Sequence, residues 1–195
     1  MVDDATLIRR TLAGDRHAFK WLIKSHERLV YGLVWRIVRN QQDTEDICQD
    51  VFLKVYEKLD TFHQESKLST WIARIAYNQA LSKLRKRDPL YKSCDIEEEV
   101  FRDCLTVGHF TPVQALEATE LKSMIQAAIE QLPTHYRYII ELFHMQEMSY
   151  SEVVEITGMP EGTVKNYLFR ARNLLKEIVR TNQELVSQYS RHPTD

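Results

Sequence analysis

The chain has 195 residues, 44% of them hydrophobic and 28% charged, with a net charge of −2. This composition supports packed cores and excludes global disorder. With only 5 Gly and 5 Pro, it favours an all-α protein of one large or two small domains. No apolar run approaches the ~20 residues that cross a bilayer. The N-terminus lacks the apolar stretch of a secretory signal, so we expect a cytoplasmic protein without membrane insertion.

The first part of the chain, residues 1–87, reads as a compact helical domain. Apolar side chains recur at steps of three and four, which is typical of amphipathic helices. A polar turn is expected at 40–43 and a loop at 61–69, and Ser69 and Thr70 are candidate caps for the helix that follows the loop. The expected helices span about residues 3–13, 18–39, 44–59 and 70–86.

A second helical domain is expected at residues 112–181. Pro89 ends the preceding helix, because proline disfavours helical backbone at the residue before it. Residues 88–111 are acidic, lack sustained periodicity and read as a flexible linker, while 182–195 read as a frayed polar tail. The expected helices of this domain span about residues 113–131, 134–146, 149–157 and 162–181.

The basic residues are concentrated in short stretches. Residues 67–87 carry six cations and no acid, although the whole chain is slightly acidic. Such stretches in a nearly neutral protein indicate limited anion-binding surfaces rather than general affinity for polyanions.

The stretch YSEVVEITGMPEGTVKNYLFRARNLL at 150–175 has the pattern of a helix-turn-helix. Ser149 and Glu152 form a predicted capping box before it. Val164, Leu168 and the residues in step with them share the face that we expect to be buried. The opposite face carries Lys165, Asn166, Phe169, Arg170 and Asn173. Asn and Arg pair with base edges in a major groove, and Thr163 lies where early helix amides hold a phosphate. The alternative is a solvated cationic face on a bundle helix.

Two blocks together resemble a known family. They are DTEDICQDVFLKVYEKLDTF with STWIARIAYNQALSKLRKR, and LPTHYRYIIELFHMQEMSYSEVVEITGMPEGTVKNYLFRAR. They resemble the extracytoplasmic-function (ECF) sigma factors of bacterial RNA polymerase, in the sigma-70 family, over about residues 4–180. The resemblance implies that residues 1–87 are sigma domain two, which binds the polymerase clamp and recognises and melts the −10 element. Residues 112–181 would be sigma domain four, which recognises the −35 element and binds the polymerase flap.

The resemblance also implies roles for single residues. The polymerase-binding residues would be Asp46, Gln49, Asp50 and Lys54, although a solvated helix face explains these charges equally well. The pocket for an unstacked −10 base would comprise Phe62, Lys67, Ser69, Thr70 and Trp71, with Asn78 facing the next bases. Trp71 has an alternative role in core packing. The phosphate contacts would be Arg74, Lys83, Arg85 and Arg87. Lys165, Asn166 and Arg170 would recognise the −35 element, with Phe169 on a sugar or a thymine methyl.

The implied partners are core RNA polymerase, promoter DNA and an anti-sigma protein, and the free protein would be a monomer. The linker acids would either imitate nucleic-acid charge or form a plain tether. A free-standing helix-turn-helix regulator is the alternative function, and it should dimerise.

No enzyme activity, cofactor or metal site is expected. The spacing of Cys94, Cys104 and His109 matches no common zinc pattern. An odd number of cysteines fits a reduced cytosolic protein, and the sequence assigns no role to Cys48, Cys94 or Cys104.

Overall fold

The computed structural model describes residues 3–87 and 117–189, and the side chains of the second range from 123 to 182. Within these ranges the chain forms eight α-helices and no strand, so the prediction of an all-α protein is confirmed. The acidic linker predicted at 88–111 lies outside the described residues, together with Cys94 and Cys104.

Four helices form the first half: α1 (Asp4–Leu12), α2 (Arg16–Val38), α3 (Gln41–Lys58) and α4 (Leu68–Arg87). Aspartate carboxylates cap the first two helices. Asp3 accepts from the Thr6 amide at 3.0 Å, and Asp15 accepts from the His17 and Ala18 amides. Helix α2 packs against the other three helices of this half. Its wholly buried residues are Leu22, Val30, Leu33 and Val34.

Two boundaries in this half differ from the predictions. Helix α3 begins at Gln41, because Arg39 ends α2 in a left-handed conformation (φ 53°) and the Asn40 side chain accepts from the Asp43 amide at 2.9 Å. The polar turn predicted at 40–43 therefore shrinks to two residues. Helix α4 begins at Leu68, so Ser69 and Thr70 lie inside its first turn and do not cap it.

The second half contains α5 (Glu117–Glu130), α6 (Thr134–Ile140), α7 (Tyr150–Thr157) and α8 (Glu161–Tyr189). The single helix predicted at 134–146 is α-helical only to Ile140 and ends in a π-helical turn at Glu141–Met145, where the Gln146 amide donates to the Glu141 carbonyl at 3.0 Å. Such turns often occur at functional sites. Helix α8 continues past Thr181 to Tyr189, so part of the predicted tail is helical.

The two halves pack against each other and share one continuous hydrophobic core. Helix α4 contacts α7, and α2 contacts both α6 and the π-helical turn. The hydroxyls of Tyr77 on α4 and Tyr138 on α6 are 3.3 Å apart, and their ring centroids are 5.2 Å apart. The sequence did not predict this docking.

A buried histidine in α6 makes the stability of the fold depend on pH. His135 packs against the rings of Tyr136 and Tyr167, and burial, with the nearby Arg137 charge, lowers its pKa from 6.5 to about 4. Between these pH values the unfolded chain binds a proton that the folded chain does not. Stability is therefore highest above pH 6.5 and falls as the pH drops towards 4, by up to about 3 kcal/mol.

Thermal unfolding measured from pH 7.5 to 4.5 checks this prediction. The melting temperature of the native protein should fall more steeply than that of His135→Phe, which keeps a buried ring and removes the titrating group. Parallel curves for the two proteins would contradict it.

Candidate nucleic-acid interface

Helix α8 separates a buried face from an exposed one, as its periodicity predicts. Val164, Tyr167, Leu168 and Ala171 are buried against the core. The predicted base-reading residues Lys165, Asn166, Phe169, Arg170 and Asn173 are all exposed, while Thr163 at the start of the helix is half-buried. Phe169 is 64% exposed. A large aromatic ring on a polar face offers apolar surface to a partner.

The turn between α7 and α8 positions this face. The predicted capping box is present: the Ser149 hydroxyl accepts from the Glu152 amide at 3.3 Å, and the Glu152 carboxylate accepts from the Ser149 amide at 2.8 Å. Gly158 ends α7 at φ 72°, a conformation that favours glycine. Helix α8 follows after Met159 and Pro160. The exposed face is thus presented across a three-residue turn.

Two cations near this face are already paired. Lys165 Nζ lies 2.6 Å from the Glu161 carboxylate, which raises the pKa of Lys165, and 5.5 Å from the centre of the Tyr150 ring. Arg172 donates to His144 Nε2 at 3.2 Å and lies over the Phe143 ring. The Lys165 ammonium is thus held at the start of α8, by Glu161 and Tyr150. The Arg172 guanidinium is directed towards the π-helical turn, which contains Phe143 and His144.

The residues predicted for the −10 pocket gather around the start of α4. The rings of Phe62 and Trp71 have centroids 5.3 Å apart, and both side chains are half-buried against the core. Ser69 is also half-buried, Lys67 is exposed and Thr70 is buried. Trp71 thus packs against the core, as the alternative proposed, and keeps part of its ring accessible.

A carboxylate from the second half occupies this surface. Glu152 Oε1 lies 3.0 Å from Lys67 Nζ and 3.3 Å from the Thr70 hydroxyl, which donates to it. Partial burial raises the pKa of Glu152, but hydrogen bonds from Ser149 and Lys67 outweigh this effect and lower it to about 2. Sequence reasoning missed this contact, since the capping box alone accounted for Glu152.

The predicted phosphate-contacting residues of α4 fall into two groups. Arg74 and Arg85 are exposed, as is Asn78. Lys83 and Arg87 are also exposed, but their cationic groups pair with the Asp43 carboxylate of α3, at 2.8 and 3.9 Å. Hydrogen bonding to Asp43 and its charge raise the pKa of Lys83, with smaller effects from Asp46 and Asp50. Nucleic acid would have to compete with Asp43 for these two cations.

The outer face of α3 carries the predicted polymerase-binding residues and two more that sequence reasoning missed. Asp46, Gln49 and Asp50 are exposed and Lys54 is half-buried. Leu53 is 62% and Tyr56 54% exposed on the same helix. An apolar residue within the polar positions of an amphipathic helix was the available signal. Exposed large apolar side chains, tyrosine among them, are common at protein interfaces.

Other kinds of site find no support in the described residues. In 3–87 and 117–189, no three His, Cys, Asp or Glu side chains are grouped as metal ligands. The same ranges hold no helix long and apolar enough to cross a membrane. Burial, with the charge of Glu45, raises the pKa of the Cys48 thiol to about 11, which disfavours the reactive thiolate.

Comparison with known proteins gives the family. Residues 22–89 match Sigma-70 region 2, and residues 122–175 match Sigma-70, region 4. The chain is 32% identical over 177 residues to the ECF RNA polymerase sigma factor SigW of Bacillus subtilis, covering 89% of this chain and 95% of that one. It is 34% identical over 176 residues to the ECF RNA polymerase sigma-E factor of Escherichia coli K12, covering 88% and 92%.

Solved structures agree on the fold. The sigma factor RpoE of Bartonella quintana, crystallised with the anti-sigma factor NepR, superposes with a TM-score of 0.62 at 26% identity, covering 83% of this chain and 96% of that one. CnrH, solved with the cytosolic domain of CnrY, shares the fold with the same TM-score at 22% identity, covering 91% and 97%. Two sigma-70 regions match, and the chain resembles curated ECF proteins over most of its length, so it belongs to the ECF sigma factors of the sigma-70 family.

Proposed function

We propose that this chain binds core RNA polymerase, directs it to promoters and initiates transcription, acting in the cytoplasm as an initiation factor and not as an enzyme. Residues 1–87 act as sigma domain two and residues 112–181 as sigma domain four. The observation that carries the proposal is the exposed row of α8, in which a lysine, an arginine and two asparagines surround an accessible Phe169. These residue types recognise base edges, thymine methyl groups and phosphates.

The remaining assignments extend the proposal to the first half. The surface at the start of α4, with the rings of Phe62 and Trp71, takes the −10 element. Paired aromatic rings beside cations suit an unstacked base and its backbone. The outer face of α3, now including Leu53 and Tyr56, docks on the polymerase. An anti-sigma protein binds the free monomer, by analogy with the Bartonella relative crystallised with NepR.

Runoff transcription from a bacterial genomic library tests the function. Core polymerase with this protein should yield discrete transcripts that are absent without it. The DNA sequences upstream of the transcript start sites should share two conserved elements, one near −10 and one near −35. Retardation of DNA by the protein alone, with no such transcripts, would instead indicate a self-sufficient regulator.

Arg170→Ala tests the −35 assignment. Loss of a bidentate contact to a base should cost about 1–3 kcal/mol of promoter discrimination and relax the preference at one −35 position. The measurement is runoff from promoters substituted singly across the −35 element. Lys176→Ala removes an exposed cation further along the same helix, beyond the last predicted base-reading residue, Asn173, so it should keep the preference. Equal behaviour of the two variants would contradict the assignment of Arg170.

A further inference from the structure

A charged cluster holds the two halves of the protein together. Arg36 on α2 is only 3% exposed and pairs with Glu130 of α5 and with Glu141 of the π-helical turn, the latter at 3.1 Å. Arg137 of α6 donates in return to the Arg36 carbonyl at 3.0 Å, and the Trp35 indole donates to Glu130 at 3.3 Å. Since a buried charge without a partner is costly, each half supplies groups that the other half needs.

Gly32 of α2 makes room for this cluster. A Cβ atom at position 32 would lie 2.7 Å from Glu141 Oε1. Glu141 has little freedom to move aside, because Arg36 holds one of its oxygens and Gln146 bonds the other at 2.9 Å. Glycine inside a helix is less favourable than alanine. The docked arrangement supplies a physical reason for a glycine at this position.

The same arrangement places a carboxylate at the start of α4. Glu152 of α7 holds the Lys67 ammonium and the Thr70 hydroxyl, two residues assigned above to the −10 element. A carboxylate on these donors occupies the positions that phosphate or base oxygens of DNA would take. DNA and Glu152 therefore compete for Lys67 and Thr70.

The geometry of a promoter gives an independent argument. Elements centred at −10 and −35 are about 85 Å apart on straight duplex, at 3.4 Å per base pair. In this structure α7 touches α4, and the base-reading helix α8 follows α7 after three residues. Such a closed arrangement cannot place α4 on one element and α8 on the other.

We propose that the free protein inhibits itself by closing: the second half docks on α2 and α4, and Glu152 takes the place of promoter DNA on Lys67 and Thr70. The inference rests on the proposed function of α4 and α8. Beside the apolar residues of the shared core, the docking contact contains several charged and polar groups, which water can solvate again when the halves separate. Polar groups of this kind are typical of interfaces between domains that can move apart. Binding to polymerase and promoter then requires the open form, and the closed fraction lowers the apparent affinity.

The test compares two double variants of the full chain. Gly32→Ala with Glu152→Gln adds a methyl group beside Glu141 and removes the charge facing Lys67, while glutamine still completes the capping box. Gly162→Ala with Glu155→Gln is the matched control, because a Cβ at position 162 meets nothing within 4 Å and Glu155 lies on the same helix as Glu152.

Two measurements are made. Small-angle X-ray scattering measures compactness without polymerase or DNA. Runoff transcription uses one promoter identified from the genomic library. It measures, for the native protein and the first variant, the protein concentration that gives half-maximal transcription.

The native protein and the control should scatter as the closed form, and the first variant should have a larger radius of gyration. The first variant should also reach half-maximal transcription at an approximately tenfold lower concentration than the native protein. An extended native protein, or opening without this gain, would overturn the proposal. A lack of transcripts with every protein would contradict the proposed function instead, and the scattering comparison would then decide the closed arrangement alone.

Discussion

Arg36→Met should separate the two halves of the protein without unfolding either one. The substitution leaves Glu141, which is 5% exposed, and Glu130 without their shared cation in the closed form. Breaking a buried ion pair from one side costs about 3–5 kcal/mol. Separation of the halves returns both carboxylates to water. Opening therefore removes this penalty and requires less free energy than unfolding. The closed-to-open ratio should fall by about 10²–10³-fold or more.

Differential scanning calorimetry measures this effect. The native halves share one core and should unfold in one transition, whereas in Arg36→Met they should unfold in two. Arg28→Met, on the exposed side of α2, is the control and should keep one transition. Arg39→Met removes a half-exposed partner 3.4 Å from Glu130 and should cost at most about 1 kcal/mol. A single transition in Arg36→Met, at the native temperature, would refute the role of the cluster.

Two neighbouring residues of α8 should respond to alanine in opposite ways. Leu168 is fully buried, so Leu168→Ala should lower the free energy of unfolding by about 2–5 kcal/mol through lost burial and a cavity. Phe169 is 64% exposed, and Phe169→Ala should change stability by less than about 0.5 kcal/mol. If Phe169 contacts DNA, its variant should nevertheless weaken protection of the −35 element.

Thermal unfolding and footprinting with polymerase on a promoter separate the two effects. Each variant serves as the control for the other, since both remove a large apolar side chain from the same helical turn. Comparable destabilisation by both would mean that Phe169 packs against the protein. Full −35 protection by Phe169→Ala would remove it from the proposed interface.

Local sequence patterns were sufficient to predict most of the helices and the division of α8 into two faces. A helical period of 3.6 residues places Val164 and Leu168 on one side and Asn166 and Arg170 on the other, whatever the rest of the chain does. The capping box at Ser149 and the turn at Gly158 are also local features. The family followed from two such blocks in order. The roles of single residues in binding promoter and polymerase stay predictions.

Other features depended on the tertiary structure. Arg36 and Glu141 are 105 residues apart in the chain, and Thr70 and Glu152 are 82 apart. Periodicity relates residues within one element and says nothing about which elements meet. Glu152 already had a local explanation as a cap, and Gly32 had none. The π-helical turn and the exposure of Leu53 likewise went unpredicted.

The sequence by itself determined the helices, their caps, the exposed row of α8 and the family, because each of these depends on residues close together in the chain. The tertiary structure alone decided that the two halves dock, that Arg36 is buried between two glutamates and that Glu152 pairs with Lys67 and Thr70. Those contacts depend on ion pairs that exist only after distant helices have packed, when burial makes each charge require the other.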